Sequence, residues 1–546
     1  MTDRPSNFDE IVADGHSAST DGGFSVFAHA SAARSRIDDW FEKRMSQPLW
    51  WRLYHWGAPL VVVIVAAILR LVNLGHPRSL VFDETFYVKD AWTLWNLGYE
   101  AEWSAKADTL FAAGNTDVYT TSASFVVHPP LGKLLIGLGM AIAGPENSWG
   151  WRISTAIVGI LAVALIMLIA RKLFQSTALA LVAGSLFAID GNAIVMSRVA
   201  LLDNFVMFFV LLGFGAIVLD REWSIRRLTQ KIARKESVLG PVLVWRPWLI
   251  AAAIALGLAS AVKWNGLYYL AFFAVYTLVV DTLVRRSAGV PFWASGTLLK
   301  QAPVSFFLTV PIAIAAYLST WVSWFSTQGG YYRQWATEPS RAWTGPLEWV
   351  PLAVQSFIHF EQSVYNYPVG ETRPHGYQAN PLTWLLMIRP TSMFYEGTEL
   401  GQNGCEVASC GASITGLANP LIWWAATAAC LFLVYRFARK REWNVGLILL
   451  GLAAGYLPWL LYTERTVFQF YTIAFEPFMI LGLTFVIGLV LGSRDDPAEL
   501  RNRGFVIVAV FAAIAVALSI FFWPLWTAAQ LSYEFLAAHW WLPTWR

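Results

Sequence analysis

The feature that most narrows the folding options is a series of apolar runs, each close to the roughly 20 residues a helix needs to cross ~30 Å of hydrocarbon. They lie near 57–74, 150–170, 177–190, 201–219, 248–262, 267–283, 301–320, 417–435, 444–462, 470–491 and 505–526. Inside a bilayer every backbone N–H and C=O must be satisfied within the protein, which leaves helices or closed barrels. Runs this long and continuous predict helices. The expectation is an all-α polytopic membrane protein with about eleven transmembrane helices. Composition agrees: 56% of residues are hydrophobic and only 14% charged, whereas soluble chains carry about 25% charged residues. A formal charge of +3, scattered over loops, gives no footprint for nucleic acid.

One further apolar stretch, Leu131 to Gly144, is interrupted by Lys133 and several glycines. Stretches of 10–14 residues are more often re-entrant or interfacial than spanning, and charge decides the matter. If this stretch does not span, Arg171 and Lys172, Arg221 through Arg246, Arg285, Arg286 and Lys300, Arg436 through Arg441, and Arg494 through Arg503 all fall on one side. Lys and Arg accumulate on the cytoplasmic side. The N-terminus is therefore expected to be cytoplasmic and the C-terminus outside, in a multi-pass protein of a bacterial plasma membrane.

This topology divides the chain into four parts. Residues 1–50 form a cytoplasmic segment, expected to be disordered to about Ala33 and then to offer a short interfacial helix or a linker between Arg34 and Trp56. Residues 51–320 form a membrane module with an outer loop at 75–149. An extracytoplasmic loop spans 321–416, and residues 417–546 form a second membrane module with an outer, Trp-rich tail. Loops this long are usually functional. Cys405 and Cys410 share the outer loop, where oxidising conditions allow a disulfide.

The unusual polar residues gather on the outer side. They comprise Phe82-Asp83-Glu84-Thr85-Phe86-Tyr87, His128-Pro129-Pro130-Leu131-Gly132-Lys133, Arg152, Arg198 with Asp203, Lys263-Trp264-Asn265-Gly266, and Arg465 with Tyr471. Any single arginine here could be an anchor that snorkels to the headgroups. Ionisable residues at membrane depth are costly, however, and convergence of several on one face signals function. Two carboxylates among several cations suggest a base beside a site for an anion, most naturally a phosphate.

Together these motifs, with Arg198-Val199-Ala200-Leu201-Leu202-Asp203 followed by Phe208-Phe209, resemble the protein O-mannosyltransferases over nearly the whole chain after residue 50. The eukaryotic members carry inserted MIR domains. Here only the 321–416 loop stands in that place, as in the actinobacterial branch. The resemblance implies a GT-C fold whose first outer loop carries the catalytic acid. It also implies a polyprenyl-phosphate mannose donor and Ser/Thr hydroxyls of secreted or membrane proteins as acceptors, possible clients of the secretion channel.

On that basis Asp83 is expected to be the general base, with Glu84 orienting the acceptor or holding the loop; the reverse assignment is the alternative. The leaving lipid phosphate needs fixed cations rather than an acid. Arg152 leads the candidates, followed by Arg198, Lys133 and Arg465, and His128 is placed to hydrogen-bond sugar or phosphate. Asp203, Lys263, Asn265, Tyr87 and Tyr471 are expected to support them. A single displacement would invert the anomeric centre. No D-x-D or histidine cluster suggests a metal, and no cofactor is expected. Two other readings compete. One is a polyprenyl-phosphate-sugar transferase acting on lipid or polysaccharide. The other is a transporter or flippase, whose polar residues should lie nearer the midplane.

Overall fold

The computed structural model describes residues 35–234 and 236–546. The disorder expected up to Ala33 lies outside the described residues. Helix α1 (Arg36–Met45) follows, with Ile37 and Trp40 exposed. Asp38 ties it to Arg501 through bonds of 2.5 and 3.1 Å. Each of the eleven apolar runs is helical. Among the described residues eight helices are long and apolar enough to span. They are α2 (Pro48–Leu71), α5 (Ser148–Phe174), α8 (Asp203–Arg234), α10 (Gly266–Ser287), α11 (Trp293–Ser319), α13 (Pro420–Lys440), α14 (Trp443–Leu461) and α16 (Ala498–Thr527).

The remaining three runs are not simple spans. Helices α6 (Thr177–Ile189) and α7 (Gly191–Arg198) form one path bent by 60°. The bend has a local cause. Asp190 ends α6 and caps α7, accepting from the backbone N–H groups of Asn192 (2.9 Å) and Ala193 (3.4 Å), a role its short carboxylate suits. Helices α9 (Pro247–Val262) and α15 (Glu476–Leu491) have 16 residues each, about 24 Å of rise. The stretch expected to stop short of spanning is α4 (Leu131–Ala143), a 13-residue apolar helix.

Small residues let these helices approach closely. On α9 a Cβ at Gly257 would sit 2.5 Å from the Ala313 carbonyl oxygen of α11. The C-terminal turns of α5, α10 and α13 carry Arg171 and Lys172, Arg285 and Arg286, and Arg439 and Lys440. Basic groups there complement the helix dipole. Near these ends a buried Arg246 bridges Asp220 of α8 and, at 2.6 Å, Asp281 of α10, an ion cluster the sequence reading did not single out.

At the opposite end lie the connecting elements. Helix α3 (Glu84–Leu97) and a hairpin of β1 (Ala101–Trp103) and β2 (Tyr119–Ala123) precede α4. Helix α12 (Leu352–Val369) belongs to the second long loop. That loop also holds the antiparallel pair β3 (Thr391–Glu399) and β4 (Ser409–Gly416). Strand β5 (Leu531–Ser532) pairs with β4, and Trp545 Nε1 donates to the Met387 carbonyl at 2.8 Å. The Trp-rich tail is thus folded onto the second loop. Cys405 and Cys410 are joined in a disulfide at the end of the β3–β4 hairpin.

Candidate active site

The two adjacent carboxylates have opposite surroundings. Glu84, in the first turn of α3, is fully buried. Its oxygens accept from the backbone N–H groups of Val81 (2.9 Å) and Ala200 (2.8 Å) and from Nε and Nη2 of Arg152, both at 2.8 Å. Arg152 spends its other donors on the carbonyls of Leu74, Pro77 (2.8 Å) and Ser79 (3.0 Å). The ion pair and these bonds clasp the loop before α3 onto the start of α5. The guanidinium expected to lead in phosphate binding is therefore enclosed by protein acceptors.

Arg198 is engaged in the same way. It donates to the carbonyls of Leu69, Arg70, Val72 (2.8 Å) and Asn73 (3.0 Å). These are orphan acceptors at the C-terminal end of α2, where a cation is favoured. Lys133 forms a buried ion pair with Glu100 and donates to the His128 carbonyl at 3.0 Å. Three of the four expected phosphate cations thus bind the protein itself.

Asp83 has no such partners. It precedes α3 and follows Phe82, whose φ of +50° is a costly backbone state for a bulky residue. The Phe82 ring meets Phe468 and Phe470 edge-on, each at 5.6 Å. Tyr87 OH donates to Asp83 Oδ2 at 3.5 Å. Burial raises the Asp83 carboxyl to about 6, against the pull of nearby Lys263 and with a further push from Asp203. Lys263 and Asp203 themselves pair at 2.7 Å. The turn that carries Lys263 requires glycine at 266, since a Cβ there would lie 2.5 Å from the Ser260 backbone nitrogen.

A cavity of about 340 Å³ opens beside this group, its polar wall formed by His128, Asp203, Lys263, Asn265, Arg465 and Tyr471. Trp264, Tyr268, Trp459 and Tyr462 add an aromatic wall. Burial, then the charges of Lys263, Lys133 and Arg465, push His128 well below its ordinary range, so its imidazole is neutral at pH 7. The ring lies 5.9 Å from that of Tyr87. Lys263 Nζ stands 5.0 Å from the Tyr471 ring.

Arg465 differs from the other arginines. Its guanidinium lies 5.8 Å from the Trp459 ring, and among the described residues its buried Nε has no hydrogen-bond partner and no carboxylate pairs with it. Asn265 Oδ1 is likewise buried without a partner among the described residues. A cation and a polar oxygen face a cavity of ordinary ligand-site size. Among the described residues no group of three or more His, Cys, Asp or Glu side chains is placed to hold a metal.

The sequence reading missed Glu100, which precedes its partner Lys133 by 33 positions, and the walls formed by Tyr268, Trp459 and Tyr462. No spacing signal marks them. In a chain with 29 tryptophans, an aromatic lining a cavity reads like any other ring at a helix end.

A family model for dolichyl-phosphate-mannose-protein mannosyltransferases matches residues 60–326, and one for the C-terminal four-helix membrane region of protein O-mannosyltransferases matches residues 353–545. The chain is 31% identical over 508 residues to a polyprenol-phosphate-mannose–protein mannosyltransferase of Mycobacterium tuberculosis, covering 91% of this chain and 92% of the relative. The enzyme of that name from Corynebacterium glutamicum is 30% identical, with 91% and 94% covered. The Saccharomyces cerevisiae protein O-mannosyltransferase Pmt1–Pmt2 complex bound to the sugar donor superposes with a TM-score of 0.67 at 15% identity, over 90% of this chain and 92% of that one. The shared fold, the matched motifs in both halves and the near full-length relatives agree: this multi-pass chain of GT-C fold belongs to the protein O-mannosyltransferase family of glycosyltransferases.

Proposed function

We propose that the protein transfers mannose from polyprenyl-phosphate mannose to Ser or Thr hydroxyls of secreted or membrane proteins, on the outer face of a bacterial plasma membrane. The relatives' names supply the donor and the acceptor class. The observation that carries the site assignment is the contrast between Arg465 and the other arginines, since Arg465 alone of the four expected cations meets the cavity without protein acceptors on its Nε. It leads as the group that faces the donor phosphate, with Lys263 held in the cavity wall by Asp203.

A Ser or Thr hydroxyl attacks well only if its proton leaves as the new bond forms. Asp83 takes that proton in our reading, because Glu84 is committed to Arg152 and two backbone N–H groups. A carboxyl with a proton affinity near pH 6 suits a general base, worth typically ~10²–10⁴-fold. The lipid phosphate departs as a stable anion whose developing charge Arg465 offsets. Neutral His128 offers a hydrogen bond to sugar or phosphate, and Asn265 another. A single displacement inverts the anomeric carbon.

The outer orientation is supported by the basic ends of α5, α10 and α13, which lie away from the site, as Lys and Arg do on the cytoplasmic side. The test uses membranes containing the protein, labelled polyprenyl-phosphate mannose and a Ser/Thr-rich peptide. Label should reach the peptide with wild type and vanish with Asp83→Asn. Label reaching lipid or polysaccharide instead would defeat the acceptor assignment and favour a transferase of other substrates.

A further inference from the structure

Glu361 takes no part in the chemistry above, yet it is a half-buried carboxylate on α12, the helix whose Val364 and Tyr365 line the cavity. Burial raises it to about 7, against a hydrogen bond from Tyr317. Tyr317 OH lies 2.8 Å from each Glu361 oxygen. The same hydroxyl accepts from Trp264 Nε1 at 3.1 Å. A phenol has one proton. While Glu361 accepts it, the lone pairs of Tyr317 remain for Trp264. The three residues form a directed chain from the Lys263-Trp264-Asn265-Gly266 turn, through the end of α11, to α12.

Packing shows what this chain holds. The N-terminal half of α12 is seated apolarly: Phe357 is 7% and Phe360 2% exposed, both against Trp321 and Trp324. The C-terminal half covers the cavity with Val364, Tyr365, Pro368 and Val369. Val364 is 4% exposed in the same aromatic cluster, and beyond it the helix is weakly seated, with Tyr365 48%, Tyr367 49% and Val369 41% exposed. Tyr365 touches the core mainly by stacking on Trp264, with ring centroids 5.7 Å apart. Beyond the helix, Thr466 N–H donates to the Glu371 carbonyl at 3.2 Å, fastening the far end beside Arg465.

We propose that Glu361 is a positioning residue that latches the C-terminal half of α12 over the cavity through Tyr317 and Trp264, making this half-helix the door through which the lipid-linked phosphosugar is admitted and held. The proposal rests on the donor assignment above. Its mechanical part stands apart from that assignment and is read separately.

The chain has three cysteines, of which Cys430 is buried and the other two are bonded to each other. Val364→Cys therefore places one reactive thiol on the cavity side of the door. In full-length protein in detergent, labelling of this thiol by a charged maleimide should be slow. It should quicken by roughly tenfold when the charge-assisted bond is removed by Glu361→Ala or Tyr317→Phe. Glu361→Gln, which keeps an acceptor oxygen, should fall between. With polyprenyl-phosphate mannose as substrate, the loss variants should raise KM for the donor by a similar factor while kcat stays within about twofold. Unchanged labelling in both loss variants overturns the latch, whatever the activity. Faster labelling with an unchanged donor KM overturns the door. Labelling still decides the latch if the parent transfers no mannose, so that failure belongs to the function alone.

Discussion

Replacing Glu84 with glutamine should cost the protein its stability before it costs any chemistry. The Glu84 side chain accepts four hydrogen bonds, two from backbone N–H groups and two from Arg152. Glutamine has one acceptor oxygen, and its NH₂ group must face an N–H donor that it cannot satisfy. Arg152, 1% exposed, then keeps its charge in the interior without a counter-ion. Breaking a buried pair by removing one partner costs about 3–5 kcal/mol. For a detergent-solubilised chain of this length this predicts a Tm lower by about 3–4 °C. Arg152→Ala should lower it similarly, and the double variant by less than the sum, because both remove one interaction. Asp83→Asn should behave in the opposite way. Asp83 holds its charge against burial and has one long hydrogen bond, so a neutral isostere leaves Tm unchanged or slightly raised. Its mannosyl transfer should nevertheless fall by about 10²–10⁴-fold. If Glu84→Gln kept the parent Tm and lost all activity while Asp83→Asn remained active, the assignment of base and clasp would be reversed.

The Asp83 carboxyl must be deprotonated to act, and its pKa is raised to about 6. The kcat/KM for transfer should therefore fall about tenfold per pH unit below that value and level off above it; a profile flat down to pH 5 would contradict this. Arg465→Ala should reduce kcat/KM by roughly 10²–10³-fold, with Arg465→Lys intermediate, since a lysine keeps the charge but not the planar fork. Steady-state kinetics at varied donor concentration would show it. The Cys405–Cys410 disulfide closes a short loop, five positions apart, and neither cysteine lines the cavity. Cys405→Ser should cost at most about 2 kcal/mol, visible as a lower Tm, with kcat unchanged.

The fold was legible because its determinants are one-dimensional. Apolar length marks each span, and each of the eleven runs is a helix. The glycine-broken stretch at Leu131 was read as too short to cross, and α4 has 13 residues. What the sequence concealed was irregularity with a local polar cause. Asp190 sits in the middle of an apolar region and reads as an isolated acid, yet it supplies the cap that bends α6 into α7. The shortness of the 177–190 run, the briefest of the eleven, is the one visible trace of this.

The site was legible to the level of residue type and side of the membrane, and no further, for a reason the arginines make plain. Arg152, Arg198 and Arg465 are equivalent in a sequence: each is a lone cation at the end of an apolar run. Their difference lies in what surrounds the guanidinium, which is decided by chain segments far away. Leu69, Arg70, Val72 and Asn73 turn their carbonyls toward Arg198 across more than 120 positions, and Glu84 reaches Arg152 across 68. A guanidinium with five donors serves equally well as a clamp for orphan carbonyls at a helix end or as a receptor for phosphate. Only the accounting of its donors separates the two. That accounting moves Arg465 from last place to first, and it also assigns the carboxylates, because Glu84 is the acid the clamp has already taken. Asp83 is the base in our reading for the same reason that Arg465 is the phosphate cation: Arg465 lines the cavity and Asp83 lies near the Lys263–Asp203 pair of its wall, each with bonding capacity that the described residues do not fill.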